Sequence, residues 1–161
     1  MVSIMNEALE LELGHKVLEV GAGSGWHAGT IAEIVAPSGA SKEKWGHVYT
    51  TEIIEELADL ARTNIEKAGY GDRVTIINSD GSEGYAPQAP YDRILVTAAA
   101  PDVPQPLTEQ LTASGILVIP VGTPYLYQTL LRVRKIDSKL IEEDLGGVAF
   151  VPLTGKHGHH M

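Results

Sequence analysis

A short apolar run followed by three glycines constrains this chain more than any other feature. Val17, Leu18 and Val20 suit a strand covered on both faces. Gly21, Gly23 and Gly25 follow at alternate positions. Without Cβ atoms the backbone there can turn sharply and come close to a ligand. From Trp26 to Val35 the apolar spacing is helical. Strand, glycine turn and helix in that order form a nucleotide-type binding crevice, although a plain βα turn gives the same local pattern.

The spacing is G-x-G-x-G, with Trp26, His27 and Ala28 after the last glycine. A dinucleotide pyrophosphate needs the helix N-terminus bare and close. A nucleoside cofactor without phosphate, such as S-adenosylmethionine, tolerates bulk there. The remaining chain repeats the strand–helix rhythm. Helices are expected at 2–13, 25–35, 53–68 and 104–111, and strands at 17–20, 47–51, 73–78, 91–97 and 115–120. Residues 128–134 and 140–145 then alternate about Asp137-Ser138 as a hairpin, and 148–153 is a last apolar piece. The expectation is an α/β fold: a doubly wound, mostly parallel Rossmann-like sheet with antiparallel C-terminal edge strands. No linker or repeat divides the 161 residues, so 1–161 reads as one domain, with 154–161 as a flexible tail.

Composition narrows the partners. The net charge is −9, which disfavours nucleic acid because phosphate contacts need clustered Lys and Arg. The chain has no cysteine, so no disulfide or thiolate metal site can form, and a cytoplasmic location fits. No apolar run approaches the roughly 18–20 residues of a membrane span. No signal peptide is legible. His157, His159 and His160 could ligate a metal, but a flexible tail fixes no geometry, so no metal site is expected.

Ligands of such sheets bind at the C-terminal strand ends. Glu52 ends the second strand and can accept from both ribose hydroxyls, or serve as a helix-start carboxylate. Asp80 and Gly81 follow the third strand. There a carboxylate can take the adenine amine and a backbone N–H can donate to a ring nitrogen, or the pair is a simple turn. Thr97 ends the fourth strand, either as a polar contact at the active centre or as a cap, and the alanines after it leave room for a ligand.

Residues 17–28, Thr51-Glu52, Ser79-Asp80-Gly81 and 92–101 together resemble class I S-adenosylmethionine-dependent methyltransferases. Residues 89–101, 118–122, 143–146 and 148–153 narrow the resemblance to the protein-L-isoaspartate O-methyltransferase family. That resemblance implies methyl transfer from S-adenosyl-L-methionine to the α-carboxylate of isoaspartyl residues in damaged proteins or peptides. It implies cofactor contacts at Glu19, Gly21, Gly23, Gly25, Glu52, Ile53, Asp80 and Gly81, with Glu19 facing the methionine moiety. It places Val121, Gly122, Val151 and Leu153 near the substrate peptide, and leaves Thr97 as the catalytic candidate. His27, beside the loop, reads as a cofactor contact or as packing. Family members carry a segment ahead of the first helix, with a hydroxyl that handles the substrate carboxylate. This chain starts about where that segment would end, so the alternative is a cofactor-binding module, or a methyltransferase of another substrate, inactive on isoaspartyl peptides. Residues 40–46 read as solvated decoration, with an effect on ribose-side access as the other option.

Overall fold

The computed structural model describes residues 1–160. Its elements run α1 (Val2–Leu9), β1 (Lys16–Val20), α2 (Trp26–Val35), β2 (His47–Glu52), α3 (Glu55–Lys67), β3 (Val74–Asn78), β4 (Tyr91–Val96), α4 (Gln105–Glu109), β5 (Leu111–Gly122), β6 (Gln128–Ile136) and β7 (Lys139–Val148). They form one seven-stranded sheet in the order β3-β2-β1-β4-β5-β6-β7. Pairings from β3 across to β5 are parallel, and β6 and β7 add antiparallel pairs. The expected architecture is the observed one. Strand order runs one way from β1 to β3 and the other way from β4, which opens a crevice beyond the ends of β1 and β4.

Alternation along the central strands sorts the core into two layers. Val17, Leu95 and Val118 pack with Met5, Leu9, Ile31 and Val35 on the face of α1 and α2. Leu18, Ile94, Val96, Leu117 and Ile119 pack with Leu107 of α4 on the other. Most of these side chains are fully buried, each stabilising by about 1.5–3 kcal/mol. Glu19 shares the parity of Val17 and therefore points under α1 and α2.

Several boundaries differ from expectation. α1 stops at Leu9 rather than 13, and Glu10 turns left-handed at φ 52°. The cause is tertiary. Arg93 of β4 donates to the carbonyls of Leu9 and Glu10, and Arg132 of β6 donates to that of Ala8. β5 begins at Leu111, four residues before the expected 115. Residues 148–153 give no separate strand; Pro152 makes only an isolated bridge with Ala99. The 40–46 loop lies at the N-terminal edge of the sheet, where Gly46 N donates to Val35 O and His47 N to His15 O. It is therefore remote from the ribose side. Residues 155–159, expected to be free, are hydrogen-bonded to Asp80, Ser82 and Leu153. Residue 161 lies outside the described residues.

Candidate active site

Three strand ends come level where the crevice opens. Val20 of β1 pairs with Thr51 of β2 and with Val96 of β4. The chain leaving β1 is then pinned sideways, because Gly21 N and Ala22 N both donate to Thr51 O, at 2.9 and 3.0 Å. Gly21 has φ +100°, and a Cβ there would stand 2.6 Å from Thr97 Oγ1. Glycine is thus required by both conformation and space. Gly23 also has positive φ, with nothing within 4 Å of its missing Cβ. Gly25 serves a different purpose: its close neighbours are Ile65 and Ala61 of α3, so it lets α2 and α3 approach.

A cleft of about 350 Å3 lies beyond these ends, lined by Gly21, Gly23, Glu52, Ile53, Ile54, Leu57, Gly81, Thr97, Val151 and Leu153 among others. Glu52 stands at its rim. One carboxylate oxygen accepts from Gly23 N at 3.0 Å and the other from Ile54 N at 3.2 Å. Each oxygen keeps a second lone pair. The helix-start role and the loop-side position therefore coexist in one residue. Gly81 is wedged onto the cleft floor, where a Cβ would fall 2.2 Å from Thr51 Oγ1 and 2.5 Å from Val20. Thr51 Oγ1 is buried with no hydrogen-bond partner among the described residues. Asp80, by contrast, does not line the cleft. Its Oδ1 accepts from Ser82 N and Oγ, and its Oδ2 accepts from Lys156 N at 2.8 Å. Burial opposes its ionisation, but the bonds from Lys156 and Ser82 hold the carboxyl below its ordinary range.

A second cavity of about 280 Å3 lies on the other side of the loop, lined by Met5, Gly21, Gly23, Trp26, His27, Thr97 and Phe150 among others. Thr97 is the hydroxyl residue common to both cavities among the described residues. Its Oγ1 donates to Gly21 O at 2.9 Å and lies 3.2 Å from Val20 O, as a strand-end cap does. Glu19 lines neither cavity and is 0% exposed. Burial pushes its carboxyl up to about 8. Beside it, burial and then the Met1 amine push the His27 imidazole down to about 4.

The four peptide-side positions separate into two pairs. Val151 and Leu153 flank Ala99, which donates to Val151 O and accepts from Leu153 N. Val121 and Gly122 flank Ala100 instead and line neither cavity. Ile54 and Leu57, within the span expected to be helical, form the cleft wall at 48% and 36% exposure. The signal for them was the run Ile53-Ile54 directly after a strand-end carboxylate. A larger cavity, about 570 Å3, lies between α2 and α3 around Trp26, Ile34 and Ile65, away from the strand ends.

A carboxylate with spare lone pairs, an apolar wall and a glycine floor suit a nucleoside bearing a ribose diol, and the residues present fit S-adenosyl-L-methionine. The family model for protein-L-isoaspartate(D-aspartate) O-methyltransferase matches residues 1–158. A protein-L-isoaspartate O-methyltransferase of Hyperthermus butylicus is 55% identical over 158 residues, covering 98% of this chain and 66% of that protein. The chain belongs to the protein-L-isoaspartate(D-aspartate) O-methyltransferase family. The family relative from Korarchaeum cryptofilum is also 55% identical, covering 98% of this chain and 72% of its own. The chain thus spans about two thirds of the length of these curated relatives. A protein-L-isoaspartate O-methyltransferase structure superposes with TM-score 0.86 at 26% identity, covering 98% of this chain and 47% of that one. The fold also matches, at TM-score 0.79 and 24% identity, a Plasmodium falciparum structure in complex with S-adenosyl-L-homocysteine, covering 94% of this chain and 71% of that one.

Proposed function

We propose that this chain binds S-adenosyl-L-methionine in the cleft and transfers its methyl group to the α-carboxylate of L-isoaspartyl residues in damaged proteins. The observation that carries the reading is Glu52, held between Gly23 N–H and Ile54 N–H with its remaining lone pairs free for the ribose. When bound, the cofactor supplies an electrophilic methyl on a sulfonium, which leaves as a neutral thioether. Ile53, Ile54 and Leu57 line the cleft and would cover a bound adenosine from water. Gly81 would leave room beneath it, having no side chain. Asp80 holds the Gly81 turn through Ser82 and remains the candidate for the adenine amine through its spare Oδ2 lone pair. Gly25 sets the loop from the helix side.

Thr97 stands where the two cavities meet, so it marks the transfer point. Its hydroxyl proton is directed at the Gly21 carbonyl, which accepts it, and its oxygen forms part of the polar wall. The acceptor carboxylate needs no general base, since a carboxyl of ordinary pKa near 4 is ionised at pH 7. The chain's task is alignment of that oxygen with the methyl group. Val151 and Leu153 at the cleft, with Val121 and Gly122 on the other side of Ala99 and Ala100, are the candidates for contact with the peptide. Residues 1–161 act as one domain in this reading, and a cytoplasmic location goes with it. The test is incubation with labelled donor and a peptide holding one isoaspartyl residue, beside its normal aspartyl twin. Label on the isoaspartyl peptide alone supports the proposal; cofactor binding without label on either supports the binding module instead.

A further inference from the structure

We propose that Glu19 is a positioning residue: as a neutral acid it offers its proton to His27 Nδ1 and so sets the glycine loop, without touching the cofactor. The inference rests on the cofactor lying against that loop. Hydrogen bonds around His27 fix its tautomer. Thr30 Oγ1 donates to His27 O at 2.7 Å, so its oxygen accepts from Asn6 Nδ2 at 3.1 Å. Asn6 Oδ1 is thereby turned to His27 Nε2, 2.8 Å away, and Nε2 must donate. In a neutral ring Nδ1 is then a bare lone pair. It stands 4.0 Å from Glu19 Oε2.

Glu19 completes the case. Oε1 accepts from Thr50 Oγ1 at 2.7 Å, while Oε2 is buried with no partner among the described residues. An ionised Oε2 would set a negative charge against that lone pair in a dry site, which is costly. A proton on Oε2 removes the conflict and gives Nδ1 a donor. At 4.0 Å the two atoms are not hydrogen-bonded, and the ring must come nearer by about 1 Å, turning about its Nε2 contact with Asn6, for the proton to be shared. The other charged groups facing the pair are Glu52 of β2, which favours the proton on Glu19, and the Met1 amine, which disfavours one on His27. Burial acts in the same directions on both. The pair thus ties β1, α2 and, through Asn6, α1 beneath residues 21–25. His27 then presents a fixed wall to the second cavity beside Gly21 and Thr97.

The test compares Glu19→Gln with Glu19→Ala, using calorimetric titration with S-adenosylhomocysteine and nitrogen-15 NMR of the His27 ring. Glutamine mimics the protonated acid, since its carbonyl accepts from Thr50 and its amide donates to Nδ1. The unmodified chain should show the neutral Nε2–H tautomer at pH 7. Affinity should stay within about 3-fold in Glu19→Gln and fall by about 10-fold or more in Glu19→Ala. A proton found on Nδ1 at pH 7, or a loss of about 10-fold in Glu19→Gln, overturns the proposal, the latter because it marks a carboxylate in direct contact with the ligand. If Glu19→Ala fails to fold, Glu19→Gln and the ring shifts still decide. If the unmodified chain binds no S-adenosylhomocysteine, the functional reading falls, while the ring shifts still decide the state of the pair.

Discussion

Replacing Glu52 by alanine probes the cofactor reading at its strongest point. The carboxylate accepts from Gly23 N and Ile54 N, and it is 7% exposed. A hydrogen bond to a charged group contributes about 1.5–3 kcal/mol. Two ribose hydroxyls would add two such bonds. Water in the truncated site recovers part of that, because the rim is open. The expected loss is about 2 kcal/mol of binding, or roughly 30-fold in affinity for S-adenosylhomocysteine. Fold stability should fall less, by about 1 kcal/mol, since the two backbone donors can turn to water. Isothermal titration and urea unfolding of the same preparation separate the two effects. A folded Glu52→Ala chain that binds within 2-fold of the unmodified one would refute the reasoning and leave Glu52 as a helix-start carboxylate only.

Other outcomes follow from the same geometry. The Glu19–His27 pair carries one proton in the folded chain between about pH 4 and about 8, whereas the ordinary values of the two groups are 4.5 and 6.5. Folded and unfolded pairs hold equal protons from 4.5 to 6.5, so stability from this pair is flat there. Above 6.5 the unfolded pair is bare, and stability should fall by about 2 kcal/mol as pH rises to about 8. Urea unfolding across that range should show the fall, and Glu19→Gln should abolish it. Gly21→Ala meets both a positive φ and Thr97 Oγ1, so it should cost roughly 2 kcal/mol or more and weaken cofactor binding, read by thermal melts and calorimetry. Thr97→Val strips the hydroxyl that caps Gly21 O; about 1–2 kcal/mol of stability should go, with slower methyl transfer at saturating donor. Gly155→Ala would drive a Cβ to 2.1 Å from Asp80 Oδ1, so hydrogen exchange at the amides of Lys156 and His157 should quicken.

What the sequence made legible was periodic or local. The apolar run of Val17, Leu18 and Val20 announced a strand buried on both faces, and the glycines after it announced a close turn. Strand-end placement then brought Glu52 and Gly81 to one cleft with Gly21 and Gly23. What stayed hidden depends on contacts distant in the chain. The stop of α1 is set by Arg93 and Arg132, both far along the chain. Asp80 was expected to be free for a base, but residues 155–157 approach it from 76 positions away. Glu19 was expected at the ligand. Strand parity, with Val17 on the α1 and α2 face, already turns it beneath those helices. Ile54 and Leu57 fit a helical stripe equally well as core or as cleft wall; in the fold Ile54 precedes α3 and Leu57 sits in its first turn, both at the strand-end cleft.

Methyl transfer to an isoaspartyl carboxylate leaves a product that can be counted. Labelled S-adenosyl-L-methionine is supplied with paired peptides that differ only in the isoaspartyl linkage, and base-labile methyl ester is counted on each. Ester should accumulate on the isoaspartyl peptide, matched by S-adenosylhomocysteine released, with little on its aspartyl twin and a strong drop with Glu52→Ala at limiting donor. Equal labelling of the two peptides, or none on either while the cofactor still binds, would contradict it.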